Sequence, residues 1–273
     1  MFDEEGIRDL ERRAAECWPP FSQGILEGWL LRFSEGVSRR ANSVLALEET
    51  GSSALDLRID AAEKFYRQRG LPCRFQISGA VRPRGLDAEL ERRGYAIEAR
   101  TLVMTADAAS VLANLADRPD PRVRPRLFSG PNAAWFQVYG AGLAEGRERG
   151  LRCRLAEGLP PPRAYAVIDD GAEPAAVGAA VIRDDWALIL CMATRDGFRR
   201  RGHGARVLAA LAAWAAEAGR DRRLFLQVES DNLPAMALYH LAGFQAAHTY
   251  YYRTQTDDAP KASRPDDAHR DNA

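Results

Sequence analysis

The sequence predicts an α/β or α+β fold in two bodies, and three observations carry that reading. Short apolar strands alternate with helical stretches as far as residue 253. Three prolines in nine residues, Arg118 to Arg126, forbid a helix and read as a stiff connector. The helical period is clearest at Gly204 to Ala218, where Val207, Leu211, Trp214 and Ala218 recur at i, i+4, i+7 and i+11.

The elements follow in order. Glu4 to Glu16 reads as a helix. Gly28–Phe33 and Ala41–Leu47 are strand-like and predict a hairpin across Gly36. Leu57 to Gln68 is helical and closes at Gly70 and Pro72. Cys73–Ile77 is a strand, Leu86–Arg93 a helix ended by Gly94, and Tyr95–Met104 a strand. Beyond the connector, Asn132–Leu143 and Glu145–Glu157 read as helices. Tyr165–Ile168, Ala176–Ile182 and Ala187–Met192 read as strands, with turns at Asp169-Asp170-Gly171 and Asp184-Asp185. Leu224–Val228 is a buried strand. Pro234–Leu241 is a short helix with proline in its first turn, and Phe244–Arg253 is a closing strand. Residues 254–273 contain no Val, Ile, Leu, Met, Phe, Tyr or Trp, so they cannot repay the entropy of ordering. The expected units are 1–117, a connector at 118–126, a second body at 122–253 and a disordered tail at 254–273.

Composition excludes several classes. The chain has 273 residues, with 38 Lys and Arg balancing 38 Asp and Glu, where a dedicated nucleic-acid binder shows a basic excess. All but two of the cations, Lys64 and Lys261, are arginine, which with the many alanines reads as codon bias. Nothing at Met1-Phe2-Asp3-Glu4-Glu5 resembles a secretory signal, and the most apolar run, Val207–Ala216, is too short to span a bilayer. A cytoplasmic protein without a membrane partner is expected. Cys17, Cys73, Cys153 and Cys191 stand far apart, so they suggest free thiols and no metal site.

Chemistry concentrates at Arg199-Arg200-Arg201-Gly202-His203-Gly204, between an apolar strand and the best helix. Glycines let the backbone approach a ligand closely. First-turn amides of a helix lack intrahelical acceptors and the dipole adds positive potential, which suits a phosphate. Five arginines from Arg195 to Arg206 face a single acid, Asp196. A Walker A loop is excluded because no Gly-Lys-Ser/Thr occurs, and a dinucleotide fingerprint lacks its third glycine because position 207 is Val.

A second motif follows the next strand: Asn232-Leu233-Pro234-Ala235-Met236-Ala237-Leu238-Tyr239-His240-Leu241-Ala242-Gly243-Phe244. Together with Arg-x-x-Gly-x-Gly, the pattern Asn-x-x-Ala-x-x-Leu-Tyr-x-x-x-Gly-Phe resembles the GNAT superfamily of acetyl-CoA-dependent N-acetyltransferases, over residues 122–253. The resemblance implies a mixed, mostly antiparallel central sheet flanked by helices. It implies acetyl-CoA as cofactor, with Met192, Ala193 and Thr194 along the pantetheine and Arg199, Arg200, Arg201, Gly202, His203, Gly204 and Ala205 at the pyrophosphate. Asn232 then contacts the cofactor arm, and Tyr239 protonates the departing thiolate. Direct transfer to a primary amine is implied, from a small-molecule or peptide acceptor. Tyr239 also suits a plain core position.

One departure bears on mechanism. A family branch carries Glu five residues before the asparagine; here Gln227 stands there and cannot take a proton near neutral pH. Glu229 faces the same side of the strand and is the substitute base, or else a solvated carboxylate. Tyr250, in the Tyr250-Tyr251-Tyr252-Arg253 run, is expected to line the acceptor groove or pack an edge strand.

The first body has no such loop. Gly28-Trp29-Leu30-Leu31-Arg32 and Arg39-Arg40-Ala41-Asn42-Ser43 resemble the opening of a bacterial tandem-GNAT group, which implies a degenerate, cofactor-free GNAT-like half. Trp29, Arg32, Arg40 and Asn42 are then candidates to reach the acceptor, with Gln227 and Tyr250, or else to serve ordinary packing. A monomer or homodimer is expected. The rival reading is a non-catalytic acyl-CoA sensor on the same fold.

Overall fold

The computed structural model describes residues 2–116, 125–219 and 222–256. Its first half holds α1 (Glu4–Cys17), β1 (Ser22–Leu26), β2 (Trp29–Phe33), β3 (Val44–Leu45), α2 (Leu55–Arg67), β4 (Arg74–Ser78), α3 (Leu86–Arg92), β5 (Ala96–Asp107) and α4 (Ala108–Leu115). The second half holds β6 (Arg126–Phe128), α5 (Ala133–Tyr139), α6 (Arg147–Glu157), β7 (Arg163–Asp170), β8 (Glu173–Arg183), β9 (Trp186–Thr194), α7 (His203–Glu217), β10 (Arg223–Glu229), α8 (Leu233–Leu241) and β11 (Gln245–Thr254).

The fold is a mixed α/β architecture on one open sheet of eleven strands, ordered β1-β2-β3-β4-β11-β5-β10-β9-β8-β7-β6. Only β3/β4 and β9/β10 are parallel; the other neighbours are antiparallel. Each parallel pair is joined by a crossover helix, α2 in the first half and α7 in the second. The order therefore reads as two similar runs, β1-β2-β3-β4 and β7-β8-β9-β10, facing each other. The last strand of each half crosses over: β5 pairs with β10, and β11 lies between β4 and β5. The halves thus share a continuous ladder rather than a loose interface.

Apolar alternation sorts the core by sheet face. One face buries Tyr165, Val177, Phe225 and Tyr250 beneath α1, α5 and α6, with Trp135 of α5 packed into them. The other buries Ala166, Ala180, Leu226 and Val228 beneath α4, α7 and α8. The first half has its own core of Trp29, Ile59, Tyr66, Phe75 and Leu90.

Several sequence expectations need correction. The expected strand 41–47 shrinks to Val44–Leu45, because Arg39–Ala41 forms a 3₁₀ turn; its hairpin partner β2 is nonetheless right. Strand β1 was not foreseen, being an edge segment with an exposed Ile25 and no β-branched alternation. Nor was α4, an eight-residue helix packed on α7. Arg126, at the end of the expected connector, pairs with Val167 in β6/β7, while 118–124 lie outside the described residues. Order runs past 253: Thr254 ends β11 and the Gln255 amide donates to the Cys73 carbonyl. Residues 257–273 of the expected tail lie outside the described residues. Among the described residues no helix is long and apolar enough to cross a membrane, and all four cysteines are free.

Candidate active site

The site begins where two parallel strands part. β9 and β10 pair from Trp186↔Arg223 to Ile189↔Leu226 and no further. Beyond that point Gln227, Val228 and Glu229 pair with β5, while Leu190–Thr194 keep pairing with β8 alone. The edge of β9 facing β10 is therefore open over Met192, Ala193 and Thr194.

A bulge sharpens the opening. Leu190 pairs with Ala179 and Ala193 with Val177, so Cys191 and Met192 oppose the single residue Gly178. Cys191 takes a left-handed φ of 56°. Gly178 is required here: a Cβ would lie 2.5 Å from Met192 Sδ and 2.7 Å from Val207 Cγ1. Sequence reasoning missed both Gly178 and the bulge, since alternation continues across them.

The Gly-rich loop closes one end of the opening. Arg200 and Gly202 both have positive φ, 62° and 78°, and Gly202 is the N-cap of α7 with no side-chain cap. The first backbone bond of the helix runs from the Arg206 amide to the Gly202 carbonyl, leaving the His203, Gly204 and Ala205 amides without intrahelical acceptors. The space over Gly202 is open apart from the Arg206 guanidinium at 3.8 Å. A Cβ at Gly204 would come within 3.2 Å of Leu238 Cδ2, so this glycine lets α7 sit against α8.

The His203 side chain is a strut, and its backbone amide stays free. Its Nε2 lies 3.0 Å from Asp170 Oδ2, and Arg206 Nη1 donates to its Nδ1 at 3.2 Å. Arg201 joins the same carboxylate at 3.0 Å. These two partners hold the Asp170 carboxyl below its usual range, the His203 hydrogen bond foremost. Arg199 instead pairs with Asp196 at 2.8 Å.

Asn232 caps α8, its Oδ1 accepting from the Ala235 amide at 3.3 Å. Two turns on, Tyr239 is buried on the α7/α8 face, tilted against Phe244. Burial pushes its phenol up to about 12, and its hydroxyl has no hydrogen-bond partner among the described residues.

The opposite face carries a cleft of about 460 Å³ lined by Gln227, Glu229, Thr101, Tyr250, Tyr252 and four arginines. Gln227 Oε1 accepts from Arg40 Nη1 at 2.7 Å, and Glu229 Oε1 from Arg39 Nη1 at 3.1 Å. The structure thus brings Gln227, Glu229 and Tyr250 together, but not Trp29, Arg32 or Asn42. Their expected acceptor contacts are corrected by their partners. Trp29 is in the first-half core and donates to the Arg82 carbonyl. Arg32 is buried, donating to Ser43 and to Gln76 Oε1 at 2.8 Å; Gln76 in turn reaches Glu11, which contacts His248 at 2.8 Å. Asn42 secures the 34–38 turn, accepting from the Ser34 and Gly36 amides.

Comparison with known proteins agrees with this geometry. Residues 5–253 match the family described as probable histone acetyltransferase Rv0428c C-terminal. The chain is 31% identical over 251 residues to the uncharacterized N-acetyltransferase YobR of Bacillus subtilis, covering 91% of this chain and 98% of that protein. In fold it is similar to a GCN5-related N-acetyltransferase from Kribbella flavida, with a TM-score of 0.67 and 16% identity over 90% of this chain and 94% of that one. A tandem GNAT protein from the clavulanic acid biosynthesis pathway aligns with a TM-score of 0.56 and 13% identity, over 73% and 69%. With a splayed parallel pair, a Gly-rich loop of free amides and a family match over residues 5–253, the chain belongs to the GNAT superfamily and is an N-acetyltransferase, on a sheet of two similar runs like that of a tandem GNAT fold.

Proposed function

We propose that the protein moves an acetyl group from acetyl-CoA to the primary amine of an acceptor that enters from the cleft side. The observation that carries this reading is the β9/β10 opening beside the unbonded amides of 203–205. The residues fit the donor: open space over Gly202 takes a pyrophosphate, and the bare edge at Met192–Thr194 takes an amide-bearing arm. Arg200 and Arg201 would add charge there, and Asn232, at the start of α8, would contact the arm.

Acetyl-CoA supplies an activated acyl carbon and a thiolate leaving group. The amine nitrogen forms the new C–N bond as the C–S bond breaks. Tyr239 is still a phenol at neutral pH, since burial raises it, and donates its proton to the leaving sulfur. Glu229, whose Oε2 is left free by Arg39 among the described residues, accepts the proton that the ammonium must lose. Cys191 is no competing nucleophile: burial pushes its thiol up to about 12, so thiolate is scarce at neutral pH.

The test combines acetyl-CoA calorimetry with release of free CoA over an amine panel. Binding followed by consumption supports the proposal. Binding without consumption of any amine points to a sensor, and absence of binding overturns the donor assignment.

A further inference from the structure

The cleft opposite α7 and α8 has a charge pattern that the transfer reaction itself does not require. It begins at Gln227, the first β10 residue beyond the last β9 pairing, which makes it the acceptor's entry in the transfer proposed above. Its walls carry Arg39, Arg40, Arg74 and Arg152 against the single lining carboxylate Glu229.

Three of these arginines are already matched. Arg39 pairs with Glu229 at 3.1 Å and Glu98 at 3.6 Å, Arg74 with Glu98 at 2.8 Å, and Arg152 with Glu148 at 2.9 Å. Arg40 differs. Among the described residues it meets no carboxylate; it donates to the neutral Gln227 amide and lies 5.6 Å over the Trp18 ring. The two contacts orient the guanidinium without neutralising it. A glutamate at 227 would close an ion pair, whereas glutamine leaves the charge available. Arg40 is also close enough to Cys191, Tyr250 and Tyr252 to oppose the upward push of burial on all three, which places it at the junction of bulge and cleft. Nearby, the buried Tyr252 hydroxyl faces the Tyr250 side chain and makes no well-formed hydrogen bond among the described residues.

We infer that the acceptor is a small amine carrying an anionic group, carboxylate or phosphate, a few atoms from its nitrogen, and that Arg40 with the Tyr252 hydroxyl receives that group. Guanidinium forks suit both anions. The cleft volume fits a small molecule, and its cationic wall repels a lysine-rich peptide. Arg40 is then a specificity-determining residue. The inference rests on the proposed transfer from acetyl-CoA.

The experiment measures kcat/KM on matched amines: glycine against glycinamide, phosphoethanolamine against ethanolamine, and a lysine-rich peptide. The anionic member of at least one pair should lead by about 10-fold or more, which is the scale of one charge-assisted contact. Arg40→Ala and Gln227→Glu should each collapse that ratio toward about one, while Arg40→Lys retains part of it. Acetyl-CoA binding, followed by calorimetry on the same variants, should stay unchanged. Equal rates on the neutral amines, preference for the peptide, or a ratio untouched by both Arg40→Ala and Gln227→Glu overturns the inference. If no amine is consumed, heats of binding of the anionic amines to the protein–CoA complex decide: heat lost in Arg40→Ala supports it, and no heat overturns it. Donor binding in the same cell judges the transfer reading separately.

Discussion

The two strand–helix junctions of this molecule stand at corresponding places in the sheet and treat an anion in opposite ways. In the second half, β9 leads through Arg195–Gly202 into α7, and the first-turn amides are left free beneath open space. In the first half, β3 leads through residues 46–54 into α2, and the chain supplies its own carboxylate. Glu27, on the β1/β2 turn, accepts from the Ser53 amide and hydroxyl at the start of α2 and faces Arg58 at 3.5 Å. A Cβ on Gly51 would collide with the Glu27 side chain, so glutamate and glycine occupy one space. The gap beside β3 is closed as well, because the Arg82 amide donates to the Ala46 carbonyl. The same topology gives a ligand site where the space before the helix is open, and a strut where a carboxylate of the chain itself is held beside the helix start.

The most severe way to break this difference is to give the second junction an acid of its own. Gly202→Asp puts a carboxylate over the α7 amides, in a left-handed position that aspartate tolerates better than most residues. Acetyl-CoA affinity should fall by about 100-fold or more, since an internal anion now satisfies the helix terminus and repels the pyrophosphate. Calorimetry measures it, and thermal unfolding should show little change. Wild-type stoichiometry should be one donor per chain; two would mean that Glu27 does not close the first junction. Next in size is Tyr239→Phe, expected to lower kcat by about 100-fold with donor affinity intact. Because burial holds the phenol up to about 12, Tyr239 stays protonated through the neutral and mildly alkaline range. Its deprotonation should produce no fall in kcat below about pH 10.

How much of this was legible in the sequence follows the range of the interactions. The Arg-Gly loop and the cap of α8 are local devices: a positive φ, free amides and an Asx cap operate within a few residues, so their pattern is contiguous. The cleft is not. Arg40 meets Gln227 across 187 residues because β5 and β11 interleave the halves, and no local period encodes that exchange. Arg32 shows the converse failure. The sequence leaves it between acceptor contact and ordinary packing, and the Arg32–Gln76–Glu11–His248 chain buries it. Gly178 was equally silent, because its need arises from Met192 and Val207 arriving from other elements.

Gly178→Ala should therefore cost stability more than chemistry. The added methyl must push Met192 and Val207, which in a packed core typically costs about 1–3 kcal/mol. Chemical denaturation measures this. A lowered midpoint with an unchanged slope is expected, together with a modest loss of donor affinity as the bulge shifts.

The gentlest test acts on the first junction. The Glu27 carboxyl is held below its ordinary value, foremost by the Ser53 hydroxyl; desolvation opposes this, and the Ser53 amide and Arg58 add to the lowering. A carboxyl lowered in the folded state contributes stability that is present above its unfolded pKa and lost as pH falls through the folded one. The window therefore opens near the usual glutamate value of about 4.3 and extends below it. Glu27→Gln keeps the shape and one acceptor but removes the charge. It should lower the unfolding temperature slightly at neutral pH, and the gap between wild type and variant should narrow as pH drops below about 4. Scanning calorimetry from neutral to acid pH measures that convergence. A gap that persists unchanged in acid would mean that Glu27 acts through packing over Gly51 rather than as the anion of the first junction. Glu27→Gln should also leave donor stoichiometry at one per chain, because the isosteric glutamine still fills the space over Gly51 and the β3 edge stays closed.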